Sequence, residues 1–200
     1  MKFPPVAVLV GNSKKPPPVA QLVEQIPFKD KVLGSIPSGR TMEKTSILII
    51  HDIRSVVNVG AMFRTADAVG IDKIYLTGYT PTPLDRFGRK RGDLAKSALG
   101  AEEFVSWEYK KSLVALLKKL KQEKYLIIGI EQDKKSIDYK TLRLRSGQKK
   151  VFIIGAEVTG IPKNILKKCD IIAEIPMRGK KESLNVSVAC GIALFRILNI

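Results

Sequence analysis

Cysteine and histidine are almost absent from this chain: Cys169, Cys190 and a lone His51 are all that 200 residues contain. Two cysteines cannot staple a disulfide scaffold, and the three residues together have no metal-ligand spacing, so no metal is expected. Long apolar runs are missing too. Nothing approaches the roughly 18–20 residues of a membrane-crossing helix, and Val6–Val10 is too short and too closely flanked by proline for a signal peptide. The expectation is a cytoplasmic chain with no membrane partner. Acidic side chains are scarce beside basic ones, 19 against 35, which leaves a net charge of +16. That excess favours a polyanion as partner, nucleic acid above all. No G-x-G-x-x-G follows the first strand and no G-x-x-x-x-G-K-[ST] occurs, so the dinucleotide-fold and P-loop readings lose their main support. What is present is ordinary for a globular domain: 44% hydrophobic residues in a length that can bury a core without staples.

Residues 1–41 differ from the rest. They hold seven of the eleven prolines, including Pro16, Pro17 and Pro18 in a row, and read as coil. One reading is a disordered basic arm. A sharper one comes from back-translation. Val19–Gln25 can be encoded as GTA GCT CAG CTG GTA GAG CAG, which resembles the D-arm of a tRNA gene. Ile26–Asp30 can be ATC CCT TTT AAG GAT, a stem and loop centred on a TTT anticodon. Gly34–Pro37 can be GGT TCG ATT CCC, like a T-arm, and Arg40-Thr41-Met42 can supply a CCA end overlapping a start codon. The order and spacing of these matches favour a translated tRNA gene, with the protein itself starting at Met42. Residues 1–41 contain six basic and two acidic side chains, so 42–200 keeps 29 against 17, a net +12.

From there, strands and helices alternate. Ser46–Ile50 is a β-branched run of the kind that is buried on both faces. Asn58–Gly70 carries Met62, Ala66 and Val69 at helical spacing, with Gly70 placed to end the helix. Strands are expected at Lys73–Leu76, Phe104–Trp107, Tyr125–Ile130, Lys150–Ile154 and Ile171–Ile175. Helices are expected over Leu113–Leu120 and its following lysines, over a short segment opened by Pro162, and over Leu184–Leu198. The pattern predicts an α/β fold with a parallel sheet covered by helices on both faces. The last helix is apolar around most of its circumference, which calls for a second covering surface, most economically another copy of the chain.

Polar residues and glycines cluster directly after three strands, at His51–Arg64, Gly155–Gly160 and Pro176–Asn185. In open parallel sheets ligands bind beyond the carboxyl ends of strands, so one composite site is expected there. The residues of these clusters carry a resemblance. Asn58-Val59-Gly60-Ala61-Met62-Phe63-Arg64-Thr65-Ala66-Asp67-Ala68, Ile154-Gly155-Ala156-Glu157-Val158-Thr159-Gly160-Ile161, and Ile175-Pro176-Met177 followed by Ser183-Leu184-Asn185-Val186-Ser187-Val188-Ala189 resemble, in order, the three motifs of the SpoU/TrmH RNA 2′-O-ribose methyltransferases. The similarity spans essentially 42–200.

The resemblance implies a SPOUT fold whose C-terminal segment forms a trefoil knot, S-adenosylmethionine bound in that knot, and an active site completed across a homodimer. It assigns Asn58, Arg64, Glu157, Ser183 and Asn185 to catalysis. Gly155, Ala156, Glu157, Gly160, Ile175, Pro176, Met177, Ser183 and Leu184 are assigned to the cofactor. Arg64 holds the family position that activates or places the ribose 2′-hydroxyl. With a pKa above ~12 arginine is a poor base, so gripping the target phosphate or ribose is the role expected of it. Ala156 departs from the pattern, which commonly has Asn or Ser there, and brings no side-chain hydrogen bond. Arg86, Arg89, Lys90 and Arg91, interleaved with Phe87, suit RNA backbone contacts alongside Arg64. Each motif residue also has a local reading: Asn58 as a helix cap, Ser183 and Asn185 as helix-start residues, the glycines as turn formers, His51 as structural. The function implied is methyl transfer to a ribose 2′-hydroxyl of tRNA or rRNA, with tRNA preferred for so compact a domain. A noncatalytic RNA-binding protein on the same fold and a base methyltransferase of the same superfamily are the alternatives.

Overall fold

In a computed structural model of the chain, residues 46–200 are described. The tRNA-gene reading of residues 1–41 and the start at Met42 lie outside the described residues. Seven strands form one sheet, in the spatial order β3-β2-β1-β6-β4-β7-β5, and every pairing is parallel. They are β1 (Ser46–His51), β2 (Lys73–Thr77), β3 (Trp107–Lys110), β4 (Leu126–Ile130), β5 (Ile137–Asp138), β6 (Lys150–Ile154) and β7 (Ile171–Glu174). The helices are α1 (Val56–Ala68), α2 (Gly92–Ala98), α3 (Ala101–Phe104), α4 (Leu113–Gln122), α5 (Lys163–Leu166) and α6 (Val186–Leu198).

Alternation along the central strands builds two cores. Leu48, Ile50, Phe152 and Ile154 point to the face covered by α1, α2 and α6, where they meet Met62, Phe63, Leu94 and Leu194. Ile47, Ile49, Val151 and Ile153 point to the other, against Leu113, Leu116, Leu117 and Leu120 of α4 and Ile165 of α5. Helices therefore cover both faces, as the continuous apolar strands require. Burying each such side chain contributes about 1.5–3 kcal/mol.

Two expectations are corrected. Ala101–Phe104 is a helical turn, and the strand begins only at Trp107. The chain is redirected by Leu99 and Gly100, both in the left-handed region with φ of 52° and 91°, and Phe104 is left exposed. Asn58 does not cap its helix. Ser55 does, its hydroxyl accepting the Asn58 backbone amide at 3.2 Å, so α1 opens two residues earlier than expected and ends at Ala68, with Val69 as its cap. Asn58 is thereby left free to turn its side chain elsewhere.

Helix α6 buries Cys190, Ala193, Leu194 and Ile197. Its other side presents Val188, Ile192 and Phe195, all exposed and spaced four and three residues apart, as a single apolar stripe. Among the described residues no helix is long and apolar enough to cross a membrane.

Candidate active site

The strand order reverses at β1 and β6, and the segments leaving the carboxyl ends of β4, β6 and β7 line one cleft of about 360 Å³, to which the segment after β1 is joined through Glu157. Gly155, Ala156, Glu157, Gly160, Ile175, Met177, Ser183 and Leu184 line it, which gathers eight of the nine residues expected at a cofactor. Pro176 is the exception: it is exposed and does not line the cleft.

The loop after β6 is closed tightly. Ala156 and Gly160 exchange backbone hydrogen bonds of 3.2 and 2.9 Å, and the departure at Ala156 thus leaves the loop's main-chain closure intact. A Cβ on Gly155 would lie 2.4 Å from Gly160 C and Ile161 N, a separation no side chain survives. Gly160 has φ of +64°, and a Cβ there would meet the Glu131 carboxylate at 2.2 Å. Both positions need glycine for steric reasons that hold before any ligand is considered.

Three motifs far apart in sequence meet in one hydrogen-bond network. Asn58 Nδ2 donates to Glu157 Oε1 at 3.2 Å, and the amides of Ser55 and Arg54 donate to the same carboxylate at 3.2 and 3.3 Å. Asn185 Nδ2 donates to Asn58 Oδ1 at 3.2 Å. Asn185 Oδ1 in turn accepts from the Ser187 hydroxyl at 2.7 Å and from the Ser187 amide at 2.9 Å, capping α6. Partial burial works against ionisation of Glu157. Hydrogen bonds from its own amide, the Asn58 side chain and the Arg54 and Ser55 amides outweigh it and hold the carboxyl below its ordinary range.

Of the five residues assigned to catalysis, Asn58, Glu157 and Asn185 join this network, and Ser183 lines the cleft beside it. Arg64 does neither. It is exposed on α1, and among the described residues its side chain has no hydrogen-bond or ion-pair partner. The loop cations are differently placed: Arg89 pairs with Asp85, Lys90 with Glu103 and Arg91 with Asp93, at 2.8, 2.7 and 2.6 Å. Only Arg86 of that cluster has no carboxylate partner among the described residues. His51 is held structurally, its Nδ1 2.8 Å from Thr77 Oγ1, and burial lowers its pKa. Burial also pushes the Cys169 and Cys190 thiols up to about 11 and about 12, which leaves neither as a nucleophile.

Residues with no motif signal complete the cleft. Glu131, at the end of β4, accepts the Ile161 amide at 2.7 Å and so pins the loop after β6 from below. Gln132 Nε2 donates to Glu182 O at 2.8 Å, tying the β4 end to the segment that follows β7. Among the described residues the cleft lining contains three carboxylates, Glu131, Glu157 and Glu182, and no basic side chain, in a chain whose net charge is +16. Among the described residues no three of His, Cys, Asp and Glu converge as metal ligands.

A parallel sheet with its cleft beyond the strand ends, closed by three polar loops, defines an α/β ligand-binding domain of the switch-point type. Comparison with known proteins makes that specific. The profile of the SpoU rRNA Methylase family matches residues 45–195, and the chain belongs to that family. The 23S rRNA (guanosine-2′-O-)-methyltransferase RlmB of Pseudomonas aeruginosa is 32% identical over 152 residues, 76% of this chain and 58% of that protein. RlmB of Escherichia coli K12 is 30% identical over 155 residues, 78% and 60% of the two chains. The chain thus spans a little under two thirds of the length of these relatives. Among solved structures, the A. aeolicus TrmH/SpoU tRNA modifying enzyme superposes with a TM-score of 0.67 at 25% identity, covering 78% of this chain and 75% of that one. An AdoMet-bound rRNA methyltransferase from Sinorhizobium meliloti, at 24% identity, gives 0.68 over 76% and 55%.

Proposed function

We propose that the chain transfers a methyl group from S-adenosylmethionine to a ribose 2′-hydroxyl of tRNA or rRNA. The observation that carries this is the joining of three motif loops through Glu157, Asn58 and Asn185 at the rim of an acid-lined cleft. The cleft's own chemistry fits the cofactor. Apolar walls from Ile130, Ile154, Ile175 and Leu184 suit an adenosine ring, and Met177 offers a polarizable contact. Three carboxylates and no cation suit a ligand that carries a sulfonium and an ammonium, and they repel a polyphosphate. When bound, S-adenosylmethionine supplies an electrophilic methyl on sulfur. The chain's residues do the rest: Gly155–Gly160 and Ser183–Leu184 hold the cofactor, while Glu157, Asn58 and Asn185 fix the loops around the approach of the oxygen. Alignment is the larger part of the catalysis.

Arg64 is proposed as the positioning group for the target phosphate or ribose. In one chain it stands clear of the Asn58 network, which supports an active site completed by a second copy. The stripe Val188, Ile192 and Phe195 on α6 is the proposed surface of that homodimer. A C-terminal trefoil knot comes with the family resemblance and is proposed with it. Arg86, Arg89, Lys90 and Arg91 are proposed RNA contacts, Arg86 being the one not already paired among the described residues. The curated relatives named above act on 23S rRNA, whereas the A. aeolicus neighbour is a tRNA modifying enzyme, so the proposal names the class and leaves the member to experiment. The test is purified protein with methyl-tritiated cofactor and total RNA from a strain lacking the gene. Labelling of one RNA size class supports the reading, and none with any RNA fraction defeats it.

A further inference from the structure

Beyond the cleft, the segment joining β2 to α2 forms a second concavity, and it is built unlike a solvated loop. It is a closed turn: the Asp85 amide donates to Arg89 O at 2.8 Å, and Leu84 bridges Lys90 in antiparallel fashion. The Asp85 carboxylate accepts the Phe87 and Arg89 amides at 2.8 and 2.9 Å and Arg89 Nε at 2.8 Å. Those bonds, the Arg89 amide foremost, hold its carboxyl below the ordinary range, so the one acid in the turn is committed to shaping it. The turn lifts Phe87 into solvent, 65% exposed, with the Arg86 and Arg89 guanidinium carbons 4.6 and 5.1 Å from its ring centroid. Beside it lies a pocket of about 720 Å³, walled by Thr80, Thr82, Leu84, Arg91 and Tyr109.

The pocket is connected to the candidate active site. Thr80 is buried and its hydroxyl lies 3.1 Å from Ile50 O at the end of β1. Tyr79, 71% exposed, donates its amide to Asp52 Oδ1 at 3.0 Å and carries the Arg54 guanidinium 5.9 Å over its ring. The Arg54 amide is one of those that donate to Glu157. Tyr109 donates its hydroxyl to Gly78 O at 3.1 Å and lines the pocket from β3. Tyr79 and Phe87, each exposed with an arginine over its ring, thus lie on the one segment joining β2 to α2.

We infer that this segment is a stacking subsite, in which Phe87 takes the face of an unpaired nucleobase of the substrate RNA while Arg86 meets its phosphate. Every base has a π-face, and aromatic platforms flanked by arginine bind single strands with little regard to sequence. A duplex keeps its bases stacked inside and offers Phe87 nothing. Arg89 is anchored by Asp85 and stiffens the platform, whereas Arg86, without a carboxylate partner among the described residues, is the guanidinium able to follow the backbone. The substrate presented to this face is accordingly a loop or an open strand whose target nucleotide lies a short distance from the stacked base. The inference rests on the RNA-methylation reading for its substrate class.

The test uses the full chain, without cofactor, and two fluorescent RNA probes: an unpaired twelve-nucleotide strand containing 2-aminopurine and a duplex of equal length. For the strand, Phe87→Ala is expected to weaken binding about tenfold with the salt dependence unchanged, and to abolish the quenching of 2-aminopurine. Duplex affinity stays within about twofold. Phe87→Trp, which keeps a platform, retains strand binding and quenching, and it guards against a variant that has merely lost its fold. Arg86→Gln lowers the slope of log Kd against log salt by about 0.7, one single-strand phosphate. Strand binding by Phe87→Ala within about twofold of the original, or equal loss on strand and duplex, overturns the inference. Phe87-dependent binding by a protein that transfers no methyl group would keep the subsite and remove the enzymatic reading. Normal methyl transfer with an unchanged KM in Phe87→Ala would do the reverse.

Discussion

Asn58 and Glu157 stand 99 residues apart in the chain, yet the Asn58 side-chain amide donates to the Glu157 carboxylate across 3.2 Å. That contact ties the loop after β6 to the first turn of α1, and Asn185 extends it to the start of α6 at 3.2 Å. Glu157→Gln keeps the size of the side chain but replaces one accepting oxygen with a donor facing other donors. Methyl transfer is expected to fall about 10- to 100-fold, the scale on which small misplacements act. Measured rates within twofold of the original would detach the network from function.

The same carboxylate sets a pH dependence. Its folded-state pKa is depressed, so the stabilisation it contributes is fully present above the unfolded value of about 4.3 and fades as pH falls through the folded one. Thermal unfolding should therefore separate the original protein from Glu157→Gln at pH 7, and the difference should shrink steadily below about pH 4. A gap that widened on acidification would reverse the sign and refute the assignment.

Gly155→Ala places a methyl group 2.4 Å from Gly160 C. Both neighbours are backbone, so the loop must open, at a cost of about 1–3 kcal/mol. The expected outcome is a lowered Tm and loss of S-adenosylmethionine binding in calorimetry, with the sheet intact by circular dichroism.

Arg64→Ala is expected to reduce methyl transfer by about 10²-fold or more while cofactor affinity is unchanged. Arg64→Lys should recover little, because a lysine cannot grip a phosphate or ribose with a planar fork. Calorimetry and single-turnover kinetics check the two halves. Weakened cofactor binding in Arg64→Ala would move this residue into the cleft's machinery.

Ile192→Glu sets a charge in the middle of the exposed stripe on α6. If that stripe joins two copies, sedimentation should show the variant at half the mass of the original protein, and Arg64-dependent activity should disappear with the dimer. An unchanged mass would place the interface elsewhere.

Much of this was legible in the sequence because the signals were long or sterically strict. Ser46–Ile50 and Lys150–Ile154 are apolar on both faces and could only be central strands. Gly155 and Gly160 stood where no other residue fits. The misses have physical reasons as well. Helix α2 follows a run of arginines and buries only Leu94 and Ala98, too little periodicity to read. The turn at Ala101–Phe104 depends on Leu99 adopting a left-handed conformation, which its identity does not announce. Glu131 and Glu182 are single loop acids, visible as part of a site only once the strands bring them to one cleft. Pairing of Lys90 with Glu103 was equally hidden, since the two lie 13 residues apart.

The most direct measurement is the chemistry of the product. RNA from a strain lacking the gene is methylated in vitro with labelled cofactor and then hydrolysed in alkali, which cleaves only next to a free 2′-hydroxyl. Ribose methylation predicts that the label is recovered in alkali-resistant dinucleotides, and that Arg64→Ala produces none. Label recovered in mononucleotides, methylated on the base, would contradict it.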